Sequence, residues 1–147
     1  MVFKNEQELQ YFLFDKCYDA LEDSLSIVYD IIDGFIKDFY ADYTPEMYLR
    51  TYQLYCSLVK TEVVRTGNHF EGSVYFDYSS LEYITGNKPS GRQVMDAAAY
   101  GNHGASGLRM VSGETGVSIW ADPVRILSKE AIEILKDALI RNGIPIK

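Results

Sequence analysis

The sequence predicts an α+β fold: a long N-terminal helix, a small antiparallel sheet, a short middle helix, and a C-terminal helix packed on the sheet. Three observations carry that expectation. Apolar residues recur at helical spacing across residues 6–42. Thr61 to Arg65 is β-branched and Ser73 to Tyr78 alternates in polarity, with the turn dipeptide Gly67-Asn68 between them. A second helical stripe is bracketed by Asp122-Pro123 before it and Asn142-Gly143 after it. At 147 residues the chain is expected to be a single domain, with 1–43 the long acidic helix and 44–147 the sheet and remaining helices.

The first helix has its apolar residues at Tyr11, Phe14, Tyr18, Leu21, Leu25, Val28, Ile32, Phe35 and Phe39. The spacings alternate between three and four, which is a heptad seam. Its length would be about 55 Å at 1.5 Å per residue, against about 30 Å for the diameter of a compact domain of this size. Such a helix projects toward a neighbour or breaks, and Gly34 is the weak point, costing about 1 kcal/mol relative to alanine. Two shorter helices on one core and an intermolecular use of the seam both remain open. Thr44-Pro45 ends the segment, because proline removes a donor and biases its predecessor away from helix.

Residues 47–60 form a tyrosine-rich connector, extended or briefly helical. Thr61 to Arg65 and Ser73 to Tyr78 make a hairpin, with Val74, Phe76 and Tyr78 on one face. Thr85 to Gly91 is a loop, and Ser90 caps a short helix over Arg92 to Tyr100. Gly101 to Gly107 holds three glycines in seven residues and is a loop. Leu108 to Val111 and Val117 to Ala121 are short strands. In the last helix Asp122 is the N-cap and Pro123 the first helical position. Its core stripe is Leu127, Ala131, Ile134, Leu135, Ala138 and Leu139.

Composition excludes several classes. Hydrophobic residues make 47% and charged residues 24%, which is globular rather than disordered. No apolar run exceeds four residues, so no membrane-spanning helix is expected, and no secretory signal is visible. The net charge of −7 is uneven: residues 1–46 carry eleven acids and three bases, and residues 47–147 ten acids and eleven bases. An acidic chain without a run of cations is a poor binder of the DNA backbone. Twelve tyrosines, five of them between Tyr40 and Tyr55, either finish the edge of a small core or furnish an interface.

No catalytic or metal signature stands out. The Gly101 to Gly107 loop lacks the spacing and lysine of a phosphate-binding loop. His69, His103, Cys17 and Cys56 lack metal-ligand spacing, and each cysteine reads as a small apolar filler. Asp77 with Glu82 reads as solvated charge at a strand end. Arg50 reads as a salt bridge from the connector to Asp38 or Asp42. Neither a cofactor nor an enzyme activity is expected.

The connector also carries an ordered set: Tyr43, Pro45, Tyr48, Arg50, Thr51, Leu54 and Ser57. This set resembles the signature Y-x-P-x-x-Y-x-R-T-x-x-L-x-x-S of a tail-component family of long-tailed bacteriophages, whose members place a helix before the motif and strands and a helix after it. The resemblance implies a virion structural protein of the neck, made in the bacterial cytoplasm and placed at the head–tail junction. It implies a ring, expected to be a hexamer, with the tail tube and head-closure or connector proteins as further partners and no membrane. The seven residues would then shape the corner between helix and sheet. An acidic lining, with Asp15, Asp19 and Asp23, would let DNA pass without binding it. A transient assembly factor and an unrelated soluble α+β regulatory or enzymatic domain are the alternatives.

Overall fold

In a computed structural model of the chain, residues 2–42, 53–81, 90–93, 95 and 121–146 are described. The expected strands at 108–111 and 117–121 lie outside that set up to residue 120. So do the Gly101 to Gly107 loop and most of the Thr85 to Gly91 loop. The fold is α+β, with a long N-terminal helix, antiparallel strand pairs, short helices and a C-terminal helix.

Helix α1 spans Glu6–Asp42 without interruption. Its start is fixed by a reciprocal cap. Asn5 Oδ1 accepts from the Glu8 backbone N–H at 2.8 Å, and Glu8 Oε2 accepts from the Lys4 N–H at 2.8 Å. The helix passes straight through Gly34. Of the two possibilities left open, two shorter helices is therefore overturned. The physical reason is local. Ile32, Ile36 and Phe39 flank the glycine and are buried, and each such side chain contributes about 1.5–3 kcal/mol. The glycine costs about 1 kcal/mol, so packing wins.

The strands form one bent ribbon. β1 (Leu58–Lys60) pairs antiparallel with β4 (Val74–Phe76), Leu58 opposite Phe76. β2 (Val64–Thr66) pairs with β3 (His69–Glu71), Thr66 opposite His69, around Gly67 at a φ of 64°. The register shifts by one residue between the two pairs, because 61–63 face only 72–73. That is a bulge, and bulges bend and twist a ribbon. Thr61 N–H donates to the Ser73 carbonyl and Ser73 N–H to Thr61 Oγ1, both at 2.9 Å, closing the lower pair at the bulge. Val63 turns inward there and is buried. Gly72 lies so close to Leu25 of α1 that a β-carbon would collide with Leu25 Cδ1. The first strand therefore begins earlier than expected, inside the tyrosine-rich connector. Tyr78 leaves the strand face to open a one-turn 3-10 helix, Tyr78–Leu81.

The bend lets the ribbon run along α1. At its base, Leu58 and Phe76 join Ile32, Ile36, Phe39, Leu54, Leu81 and Met95 in the core. Midway, Lys60 Nζ donates to Glu22 Oε1 and, at 3.0 Å, to Ser26 Oγ. At the tip, the Arg65 guanidinium lies 3.4 Å over the Phe14 ring, whose centroid is 5.9 Å from that of Phe70. A cation over an aromatic face is worth about 0.5–2 kcal/mol. Glu22 Oε2 is enclosed and, among the described residues, accepts no hydrogen bond. The Lys60 pair therefore sets the ribbon's position more than it adds stability.

Helix α2 is a single turn, Gln53–Cys56, that buries Leu54. Residues 91–93 and 95 are helical. The cap expected at Ser90 is present and two-sided: Gln93 N–H approaches Ser90 Oγ at 3.4 Å, and Ser90 N–H donates to Gln93 Oε1 at 2.8 Å. Helix α3 spans Ala121–Arg141. It begins at Ala121, so Asp122 sits in the first turn, where its charge suits the helix dipole, rather than at the N-cap. Its end is the expected Asn142-Gly143 stop. Ile144 N–H donates to the Leu139 carbonyl at 2.9 Å and Gly143 N–H to Ile140 at 3.0 Å, with Gly143 at a φ of 88°. Asn142 Nδ2 donates to Asp23 Oδ2 at 2.9 Å, while Leu127 packs against the core cluster, to which α1 contributes Ile32, Ile36 and Phe39. α3 therefore runs antiparallel along α1. Ala20, Ser24 and Ala138 are buried small residues that suit close helix packing. Of the expected core stripe, Ala138 is fully buried, whereas Ala131 and Leu135 are exposed; Pro123, outside the stripe, is buried as well.

Replacing Gly34 by alanine tests whether α1 is continuous. Among the described residues nothing lies within 4 Å of an added β-carbon. Gly34→Ala is expected to raise unfolding free energy by about 1 kcal/mol in a denaturant titration. No change, or a loss, would mean that the helix bends there.

Candidate functional site

The motif residues Leu54 and Ser57 sit at one corner, where α2 meets β1. Tyr43, Pro45, Tyr48, Arg50 and Thr51 lie outside the described residues, as do the proposed pairing of Arg50 and the residues Glu82 and His103. Leu54 is buried among Ile36, Phe39 and Leu58 in the core. Ser57 is fully buried. Its hydroxyl donates to the Leu54 carbonyl at 2.7 Å, and its own carbonyl accepts from the Asp77 N–H at 2.7 Å. One serine thus closes the last turn of α2 and continues the β1–β4 ladder by one more bond.

Asp77 holds the other side of the corner. Its Oδ1 accepts from the Ser79 hydroxyl at 2.6 Å and the Ser79 N–H at 3.0 Å. The hydroxyl bond, with the backbone bond second, holds the carboxyl below the usual aspartate range. Asp77 is the strand-end charge expected, directly after β4, and it also caps the 3-10 turn. These contacts hold the corner and the turn that follows it.

Elsewhere the described residues bring together little reactive chemistry. His69 is exposed at the ribbon tip, Cys56 is exposed on α2, and Cys17 is half-buried on α1. Among the described residues no three of His, Cys, Asp and Glu are grouped to hold a metal ion. Among them, too, no helix is long and apolar enough to cross a membrane.

What the described surface does offer is exposed apolar area on two helices. Of the heptad seam, Leu25, Ile32 and Phe39 are buried within the chain, while Tyr11 is 58% and Tyr18 40% exposed. The seam is thus consumed internally over its C-terminal part and left open at its N-terminal end. Leu9 and Leu13 are exposed there as well, and Phe3 folds back to pack 5.2 Å from Phe12. On α3, Val124, Ile132 and Ile140 are exposed. The signal missed in the sequence was the exposed pair Ile132 and Ile140, which lies across α3 from Leu127, Ile134 and Ala138.

Ser57→Ala separates a structural role from a chemical one for the motif. Loss of the buried hydroxyl is expected to lower stability by about 1–2 kcal/mol in thermal or denaturant unfolding. An alanine variant as stable as the parent would show that Ser57 does not hold this corner.

Comparison with curated proteins and with solved structures finds no match. A protein-family model described as YomN matches residues 5–141, from the start of α1 to the last residue of α3. With the match covering nearly its whole length, the chain belongs to the YomN family, which is phage-derived.

Proposed function

We propose that this protein is a non-enzymatic structural component of a phage particle, placed at the neck, where it assembles as a ring that joins or completes the tail at the head–tail interface. The observation that carries this reading is membership of a phage-derived family, together with the motif running from Tyr43 to Ser57. The motif's resemblance to a tail-component signature supplies the finer location. The geometry at Leu54 and Ser57 supports a scaffold use of the motif, since both side chains are buried at a helix-to-strand corner.

Two physical features agree with ring assembly. A subunit in a ring must offer two different faces, and α1 and α3 each leave apolar side chains in solvent. The acid surplus of residues 1–46 would keep a passing duplex unbound, because binding the DNA backbone requires clustered cations. The tail tube protein and a head-closure or connector protein would be the ring's axial neighbours.

Antibody labelling of purified particles, viewed by electron microscopy, tests the location. Label at the head–tail junction is the expected result. Absence of the protein from purified particles, with the protein present in infected cells, would overturn the neck reading and favour a transient assembly factor.

A further inference from the structure

Two exposed rows, on α1 and α3, have opposite charge and similar length. On α1, Glu8, Tyr11, Asp15 and Tyr18 recur at spacings of three, four and three, with Asp19 beside them. Residues at these spacings share one helix face. All five are exposed. Among the described residues, Asp15 has no hydrogen-bond or ion-pair partner, and Asp19 makes only a 3.4 Å pair with Lys16 on its own helix. The row spans about 17 Å.

On α3, Arg125, Lys129, Ile132, Lys136 and Ile140 recur at spacings of four, three, four and four. Ile132 is 69% and Ile140 53% exposed. The acids Glu130 and Asp137 fall off this row, and Glu133 stands at its edge, four residues after Lys129 and paired with Lys136, so the row keeps a cationic excess. Lys129 has no partner among the described residues, while Arg125 and Lys136 pair only with Asp122 and Glu133 one turn away. Exposed pairs of that kind are worth under about 1 kcal/mol and are easily exchanged. This row spans about 23 Å.

We infer that the α1 row of one copy docks on the α3 row of the next, forming a head-to-tail contact between copies of this chain. The occupant follows from charge and shape. An α1 row against another α1 row sets acid against acid, and α3 against α3 sets cation against cation. Only α1 on α3 opposes Asp15 and Asp19 to Lys129 and Lys136 while laying Tyr11 and Tyr18 against Ile132 and Ile140. Opposed charges at a contact fix register and exclude wrong pairings, and the tyrosines supply the apolar area. A contact between two different faces of one subunit builds closed rings or open filaments rather than isolated dimers. The inference rests on the reading of the chain as a self-assembling subunit and names the surfaces that meet.

Charge reversal on the full chain tests it by sedimentation velocity. One variant carries Asp15→Lys with Asp19→Lys, the other Lys129→Glu with Lys136→Glu. Asp15, Asp19 and Lys129 are exposed and Lys136 is half-buried, all in helices, so circular dichroism should match the parent. The parent is expected to associate, and to do so more weakly at high salt. Each variant alone should associate about tenfold more weakly or worse, and an equimolar mixture of the two should recover the parent's assembly, because each contact in the mixture again pairs opposite charges. A parent oligomer untouched by either reversal would overturn this contact while leaving ring assembly at another surface intact. Monomers in every sample, the mixture included, would also overturn it, and the position at the neck would still be decided by particle labelling.

Discussion

The fold depends on one mismatch of lengths. Helix α1 is about 55 Å long, and nothing else described in the chain can cover it from end to end. Helix α3 has 21 residues, about 31 Å, and its cap ends beside Asp23. The strand ribbon starts in the core at Ile32 and Ile36 and reaches only to Phe14. α3 therefore covers the C-terminal half of α1, and the ribbon its middle as far as Phe14. The first turns are left as a rod with tyrosine and leucine in solvent.

The ribbon shows how a short segment is made to follow a long helix. Four three-residue strands would be marginal alone. The bulge at 61–63 bends them, Val63 and Gly72 bring the bend against Leu25, and Lys60 and Arg65 tie the ribbon to Glu22 and Phe14 at separate points along α1. The Ser57–Asp77 bond then anchors its base to α2 and the 3-10 turn. The residues that match the phage signature, where described, belong to this anchorage, which is why they read as architecture and not as chemistry.

Much of this layout was legible in the residues. The alternating three-four spacing located α1 to within its observed bounds, Ser90 marked a real cap, and Asn142-Gly143 marked a real stop. The misses have physical causes. Strand β1 hides in the connector because Leu58–Lys60 is too short to show alternation, and its partner is sixteen residues away. The bulge is invisible because a single extra residue leaves no compositional trace. Ala131 and Leu135 were assigned to the core by period alone. α3 has apolar residues on more than one side, and the packing against α1 selects Leu127, Ile134 and Ala138. The seam pattern gave no hint of where internal cover ends, because Tyr11 and Tyr18 repeat it as faithfully as Leu25 and Ile32.

The uncovered end of α1 is the point at which structure and proposed assembly meet. An extended acidic helix that the other described residues cover only in part suits a subunit that completes itself on a neighbour. Hydrogen–deuterium exchange along α1, on dilute and on assembled protein, tests this most directly. The account predicts slow exchange across Leu25 to Phe39 in both states without a break at Gly34, and fast exchange over Glu6 to Tyr18 that slows on assembly. Equal protection of both ends in the dilute monomer, or no slowing at the N-terminal end on assembly, would contradict it.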